Sequence, residues 1–304
     1  MFRPIFYTTK PLKQLLVLLF TLFASFIVFA IVSSIGMIAF PKNLNNDTFP
    51  IEFTQYLLVV QGLTIMILPS IVFTFLTNLK PWESIGLQKI RPLKWILLSI
   101  VIILSVQPLV EWLSIVNSQM SLPASMAGIE AWMREAEIKA AEITAEILKG
   151  NQPKNIIANI FIMAIIPAIG EELIFRGCFQ KVLGQWWKNP HIAILVTAIL
   201  FSAIHMQFFG FLPRFVLGMV LGYLFYWSKN IWVSILAHFI NNALAVSIYY
   251  YYIIIGGIEN PLAPQEAAKV DYIVLTAGST IFVASIFLSY KLYKAVKKRR
   301  LQMV

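Results

Sequence analysis

The stretch NIIANIFIMAIIPAIGEELIFRGCF, residues 155–179, decides the fold class. It is apolar enough to cross a lipid bilayer, yet it contains Glu171, Glu172 and Arg176. An ionised side chain at bilayer depth costs roughly 2.5–3.5 kcal/mol on insertion scales. Three such groups within one short stretch need polar partners, and partners of this kind usually mark a site in membrane proteins.

The composition supports a membrane location. The chain has 304 residues, of which 59% are hydrophobic and 12% are charged, whereas soluble domains are about 45–50% apolar. We therefore predict an all-α, polytopic membrane protein. We assign the net charge of +10 to cytoplasmic loops and anionic lipid rather than to nucleic acid. The single cysteine, Cys178, excludes an intrachain disulfide and a thiolate zinc cluster within the chain.

Hydropathy in a window of about 19 residues predicts eight membrane spans. The fifth and sixth are short and are joined by a tight segment that contains glycine and proline. The predicted spans are Leu15–Phe40, Tyr56–Leu79, Leu93–Val116, Ile156–Phe175, Ile192–Phe208, Phe215–Trp227, Ile231–Tyr252 and Tyr272–Tyr290.

The distribution of lysine and arginine predicts the orientation of these spans. If both termini are cytoplasmic, 17 basic residues lie inside and 7 lie outside, as the positive-inside rule requires. We expect a multi-pass protein of the inner (plasma) membrane with both ends in the cytoplasm.

Two segments are predicted to lie outside the spans. Trp82–Leu87 is flanked by lysines and suits the membrane interface. Ala127–Leu148 has the spacing of an amphipathic helix, which would be a surface connector or, less favoured, a lid. We divide the chain into N-terminal spans with this helix (1–155), a polar core (156–245) and a last span with a basic tail (246–304).

Helical geometry separates the two neighbouring glutamates. Glu172 and Arg176 are four residues apart, so they share a face and can pair. Glu171 is rotated by about 100° from Glu172 and needs a partner from another helix. Glu172 with Arg176 suits a structural salt bridge as well as a site, whereas Glu171 is the better candidate for an acid or base.

Further polar residues follow on later spans. Phe201 and His205 are four apart at the end of the fifth span, and His238 and Asn242 are four apart on the seventh. Both pairs lie on predicted helical spans, so each pair shares a face. His238 and Asn242 would then offer two neutral hydrogen-bond donors to a developing oxyanion.

Together these residues form the motifs EELIFR (171–176), FSAIH (201–205) and HFINN (238–242). In this order the sequence resembles the CPBP intramembrane proteases, also called the Abi or CAAX-protease family, over about residues 156–245. The resemblance implies that Glu171 is the catalytic base, that His205 helps it to hold water, and that His238 and Asn242 form an oxyanion hole. Glu172 and Arg176 would then support the site.

The resemblance also raises the question of a metal. The family carries a metalloprotease label, and Glu171, His205 and His238 could in principle hold zinc with one open position. The sequence has no HExxH motif, and asparagine is a poor zinc ligand but a good oxyanion donor. A glutamate mechanism without a cofactor is therefore favoured.

The predicted partners are the lipid bilayer and a membrane-associated peptide or protein substrate, not nucleic acid, and the number of subunits stays open. A non-enzymatic immunity or scaffold protein and a proton-coupled transporter remain as alternatives, although no internal repeat supports the latter.

One expectation concerns depth in the membrane. With straight spans, Glu171 falls toward the inner end of span four and His205 toward the outer end of span five. The two can meet if span four continues to about Leu183, or if the short fifth and sixth spans leave a water-filled cleft.

Overall fold

A computed structural model describes residues 4–7, 9–42, 49–90, 92–257 and 271–301. For residues 299–301 it describes the backbone alone. Every regular element within these ranges is helical, which confirms the all-α prediction. The long helices are α1 (Pro11–Ala39), α2 (Ile51–Thr77), α3 (Lys94–Ser118), α4 (Ala127–Ile147), α5 (Pro153–Trp187), α6 (Pro190–Ala203), α7 (Phe211–Ser228), α8 (Ile231–Ile254) and α9 (Tyr272–Leu301).

The chain is a polytopic membrane protein. Within the described ranges, seven helical segments are long and apolar enough to cross a bilayer, and they correspond to α1, α2, α3, α5, α7, α8 and α9. The remaining apolar helix, α6, has 14 residues and spans only about 21 Å, against roughly 30 Å of hydrocarbon. The predicted count of eight is therefore approximate, because its fifth span is a shorter helix.

Helix α5 is longer than predicted. It runs for 35 residues without a break, so it continues well past the predicted end at Phe175 and places Glu171 near its middle. Two stretches of α5, Phe161–Ile165 and Leu173–Phe179, are π-helical. Single turns of this kind occur often at functional sites, and the second one directly follows the two glutamates.

The sequence ended this span too early because Arg176 interrupts its apolar run. Arg176 is completely buried, and its guanidinium forms an ion pair with Glu172 inside the protein.

Helix α6 ends earlier than the predicted Phe208. Its last residue is Ala203, and the chain turns at Ile204 and His205 before Met206 adopts a left-handed backbone with φ 54°. The Ser202 hydroxyl donates to the Phe211 carbonyl at 2.7 Å, which ties the end of α6 to the start of α7. The prediction that this helix continues through His205 is therefore wrong, although the Phe201 and His205 rings remain in contact, with their centres 5.3 Å apart.

Helices α2 and α8 both pack against the middle of α5. Gly170 allows the close approach of α2, since a Cβ atom there would lie 2.8 Å from Cβ of Met66. Small residues serve this purpose commonly between membrane helices. The carboxylates that follow Gly170 are thereby held next to both neighbouring helices.

The connecting segments lie at two ends of the bundle. At one end, the short helix Pro81–Ser84 lies in the predicted interfacial segment, and Gly86 accepts a hydrogen bond from the Ile231 amide at 3.1 Å. At the other end, α4 covers the turn after α6, where the Trp132 and Phe208 rings are 5.6 Å apart. Helix α4 matches the predicted amphipathic helix.

The exposed face of α4 carries paired charges. Arg134 donates to Glu130 at 2.6 Å, and the same carboxylate accepts the Leu122 amide at 2.8 Å. These hydrogen bonds lower the pKa of Glu130, that from Arg134 having the larger effect. The Arg134 guanidinium also lies 4.4 Å from the centre of the Phe209 ring. This contact fixes the start of α4 over the segment that follows His205.

Candidate active site

A cavity of about 340 Å³ lies between α2, α5 and α8 and reaches the turn after α6. Three of the sequence-predicted site residues line it: Glu171, His205 and Asn242. The rest of its wall is mostly apolar. These residues are Leu58, Gly62, Met66, Ile162, Met163, Ile166, Pro167, Ala245 and Val246, together with the amide of Gln61. The three polar residues, which the sequence places on separate segments, therefore meet at one space.

Glu172 and Arg176 form a closed ionic cluster behind this cavity. Both are completely buried, and Nη1 of Arg176 donates to Oε1 of Glu172 at 2.8 Å. Arg176 also donates from Nη2 to the Gly218 carbonyl on α7 at 3.0 Å, and its guanidinium lies 4.8 Å from the centre of the Phe201 ring. The pair thus joins α5 to α6 and α7.

His238 on α8 connects the closed cluster to the cavity. Its Nδ1 atom lies 2.9 Å from Oε1 of Glu172, and a carboxylate that is paired with arginine acts as an acceptor. Nδ1 therefore carries the proton, and in the neutral ring Nε2 presents a lone pair. The prediction that neutral His238 donates to an oxyanion does not fit, because its one N–H is already directed at Glu172. Donation from Nε2 requires the doubly protonated ring.

Glu171 faces the cavity. Its side chain is 16% exposed, and Oε2 lies 3.8 Å from Nε2 of His238. Arg176 bonds Glu172 instead, as the 100° rotation between neighbouring helical residues requires. The partner of Glu171 therefore comes from another helix, and the contact is longer than a hydrogen bond.

His205 is oriented by the backbone of the helix that precedes it. Its Nδ1 atom lies 2.8 Å from the Phe201 carbonyl, and a carbonyl can only accept, so Nδ1 carries the proton. In the neutral ring, Nε2 is left as an acceptor. The Phe201 ring lies 5.3 Å from the imidazole. Phe201 and His205 are therefore in contact although His205 is not helical, and the long α5 together with the short α6 brings His205 to the depth of Glu171.

Asn242 belongs to a chain of amides that sequence reasoning missed. Gln107 on α3 donates to Oδ1 of Asn241 at 3.1 Å, and Nδ2 of Asn241 donates to Oδ1 of Asn242 at 3.1 Å. Since the carbonyl oxygen of Asn242 is occupied, its NH₂ group remains for the cavity. The signal in the sequence was a glutamine next to Pro108 inside an apolar span.

Gln61 is a second polar residue that the sequence analysis passed over. It lies within the membrane span formed by α2, it is exposed, and it lines the cavity on the wall opposite α8. No described residue forms a hydrogen bond with its amide. An amide without a hydrogen-bond partner is unfavourable in an apolar span. The presence of Gln61 inside a predicted span could therefore have marked it as a candidate site residue.

The zinc set considered from the sequence does not fit the arrangement of the side chains. Across the described ranges, no three histidine, cysteine, aspartate or glutamate residues are grouped so that they could hold a metal ion. No chemical step is therefore assigned to a metal.

The fold and this cavity define a class: a multi-pass helical membrane protein with glutamate, histidine and asparagine around one intramembrane space. Residues 153–244 match the family described as Type II CAAX prenyl endopeptidase Rce1-like. This match confirms the resemblance for that segment, which contains all of the motif residues.

One curated relative is the uncharacterized protein YpbD of Bacillus subtilis (strain 168). It is 27% identical over 95 residues, which are 30% of this chain and 46% of that protein. The chain thus matches less than half the length of this curated relative. No solved structure matches the chain.

Proposed function

We propose that this protein is an intramembrane endopeptidase that hydrolyses a peptide bond of a membrane-associated substrate. The observation that carries the proposal is the meeting of Glu171, His205 and Asn242 at one cavity, with His238 at 3.8 Å from Glu171. The substrate class that the matching family suggests is a CAAX-type prenylated protein. In this proposal the loops near the basic ends of the chain face the cytoplasm of a bacterial or archaeal cell.

Water activation is assigned to Glu171 and His205. A water molecule between the Glu171 carboxylate and Nε2 of His205 would donate a hydrogen bond to each of them, since both are acceptors. Glu171 takes one proton as the oxygen attacks the scissile carbonyl, and a tetrahedral intermediate forms. When the C–N bond breaks, Glu171 returns that proton to the leaving amine. The water is thereby divided between the two products.

Stabilisation of the oxyanion is assigned to Asn242 and His238. The NH₂ group of Asn242 would donate to the developing charge, and the amide chain from Gln107 holds it in that orientation. His238 would be the second donor from Nε2 in its doubly protonated form, with Glu172 as the counter-ion at Nδ1. Donors of this kind contribute because they are fixed before the charge appears.

Gln61 is assigned to substrate binding. A peptide that enters the bilayer in an extended form has backbone N–H and C=O groups without partners, which is unfavourable in hydrocarbon. The Gln61 amide can donate to one such group and accept from another. It lies on the cavity wall, so it would hold the substrate beside Glu171.

The decisive test compares Glu171→Gln with the wild-type protein in liposomes, using a prenylated peptide that ends in a CAAX sequence. We expect cleavage, followed by mass spectrometry, to fall by about 10²–10⁴ while the thermal unfolding temperature stays unchanged. A matched control is Glu111→Gln, an exposed glutamate on α3 outside this cavity, which should keep full activity.

Undiminished cleavage by Glu171→Gln would refute the assignment of the base. If neither protein cleaves but both bind the peptide equally, the chain acts as a scaffold rather than as an enzyme. A parallel assay with the unprenylated peptide tests whether the lipid group is part of the substrate.

A further inference from the structure

The backbone is strained directly after His205. Met206 has φ 54°, in the left-handed region that residues with a side chain rarely adopt. Such a conformation persists only where the surrounding structure holds it. The residues from Ile204 to Gln207 belong to no helix, so α6 alone does not fix them. The position of the His205 imidazole therefore depends on the contacts that hold this turn.

Arg214 on α7 binds the residue that follows Met206. Its Nη1 atom donates to the Gln207 carbonyl at 3.0 Å, and its Nη2 atom donates to Oε1 of the same glutamine. One guanidinium thus holds both the backbone and the side chain of Gln207. Because the guanidinium is planar and rigid, two hydrogen bonds from it restrain orientation as well as distance. The turn is therefore held from α7 as well as from the Phe201 carbonyl, to which Nδ1 of His205 donates.

Gly210 leaves the space in which this guanidinium lies. A Cβ atom at position 210 would lie 2.8 Å from Nη1 of Arg214 and 2.9 Å from Nη2, which is closer than such atoms approach. The φ of Gly210 is −111°, a negative value that residues with a side chain also adopt. Glycine is thus needed here for space rather than for its backbone freedom, and the space is filled by Arg214.

Arg214 is also close to the residues to which water activation is assigned. It is half-buried, and its charge interacts with Glu171 and with His205. Glu137 on α4 is a further acid that interacts with it. Arg214 is not among the residues that line the cavity, so it is not placed to contact a substrate there. Its effect on a reaction in the cavity has to pass through the residues that it holds.

We infer that Arg214 is a positioning residue for His205. Its two hydrogen bonds to Gln207 hold the turn after α6, and the turn keeps Nε2 of His205 beside the Glu171 carboxylate. The inference rests on the proposed function, because a water molecule shared by Glu171 and His205 requires a fixed distance between them. A displacement of about 1 Å in such an arrangement can lower the rate by about a hundredfold.

The main test is a double-mutant cycle on cleavage of the prenylated peptide in liposomes. For Arg214→Met we expect kcat to fall about 10- to 100-fold, with KM changed by about twofold at most, since substrate binding is retained. In a His205→Ala background the same substitution should lower kcat by about twofold at most, because the positioned group is absent. In an Asn242→Ala background it should again cost about 10- to 100-fold.

Gly210→Ala tests the same contact without removing a charge, and it serves if Arg214→Met fails to fold. The added methyl group displaces the guanidinium from Gln207, so we expect kcat to fall by about three- to tenfold. The matched control is Arg134→Met. Arg134 lies over the Phe209 ring in the same segment but does not bond Gln207, so its loss should change kcat by about twofold at most.

Hydrogen–deuterium exchange separates this inference from the proposed function. Peptides that cover residues 204–210 should exchange faster in Arg214→Met than in the wild type, whether or not the protein cleaves the substrate. Unchanged exchange would overturn the inference in either case. If the wild type does not cleave, the proposed function fails and faster exchange still supports the contact. If the wild type cleaves but Arg214→Met keeps its kcat, or loses as much in the His205→Ala background, the inference fails and the proposed function stands.

Discussion

Glu171 and Glu172 are neighbours in sequence, yet their two faces of α5 form different environments. On the Glu172 face, arginine and histidine both contact Oε1 of the carboxylate, and the side chain is completely buried. On the Glu171 face, the carboxylate borders a cavity, and its nearest ionisable partner is 3.8 Å away. The comparison teaches that a rotation of about 100° along one helix can separate a carboxylate held in a buried ion pair from one that faces a cavity.

The closed face gives the open face its geometry. Glu172 bonds to Arg176 on its own helix and to His238 on α8, so the imidazole that faces Glu171 is fixed from behind. An ion pair of this kind is not in itself a strong source of stability, because desolvation offsets much of the attraction. Replacing only one partner of the pair nevertheless destabilises the protein strongly, because the other charge stays buried without a counter-ion. This loss of stability can be measured.

The largest effect is expected for Arg176→Met, which leaves the Glu172 carboxylate buried without its cation. We expect the free energy of unfolding to fall by about 3–5 kcal/mol, measured by denaturant unfolding in detergent. The double variant Glu172→Gln/Arg176→Met should be less destabilised than Arg176→Met, since no uncompensated charge remains.

A surface pair supplies the control for this prediction. Lys139 lies 2.7 Å from Glu135 on α4, and both side chains are more than half exposed, so Lys139→Met should not change stability measurably. Equal stability of Arg176→Met and the wild type would mean that the Glu172 face is not closed.

The next effect concerns the open face. Asn242→Ala removes the proposed oxyanion donor, and we expect kcat to fall by about 10²–10³ with little change in KM or unfolding temperature. The donor acts on charge that appears in the transition state, so substrate binding should be retained. A rise in KM at constant kcat would assign Asn242 to substrate binding instead.

The sequence predicted the class of fold because the hydropathy of a segment depends only on the residues within that segment. It also predicted the Glu172–Arg176 pair, since a spacing of four residues fixes two side chains on one helical face. It failed at the end of α6. Whether the chain remains helical through His205 depends on the bonds that tie Ser202 to Phe211 and on the left-handed backbone at Met206, and these are tertiary features.

The sequence also could not identify residues whose hydrogen-bond partners are distant along the chain. Gln107 and Asn241 bond across 134 positions of the sequence, and no spacing rule relates them. The tautomer of His238 likewise depends on which atom of α5 faces Nδ1. Polar residues inside apolar spans were visible, but their partners were not, so the sequence could indicate candidates without assigning their roles.

The smallest effect is expected on the cavity wall opposite α8, where Gln61→Met replaces a free amide by an apolar side chain of similar length. One lost hydrogen bond to the substrate backbone should raise KM by about two- to tenfold and leave kcat unchanged. The unfolding temperature should stay equal or rise, because an amide is removed from an apolar span.

This combination separates a binding role from a structural one, since damage to the fold would lower kcat and stability together. The matched control is Ser34→Ala, an exposed polar residue on α1 whose hydroxyl bonds its own helix at Ala30. An unchanged KM for Gln61→Met would restrict the functional part of the open face to Glu171, His205 and Asn242, and it would leave the far wall as a passive boundary of the cavity.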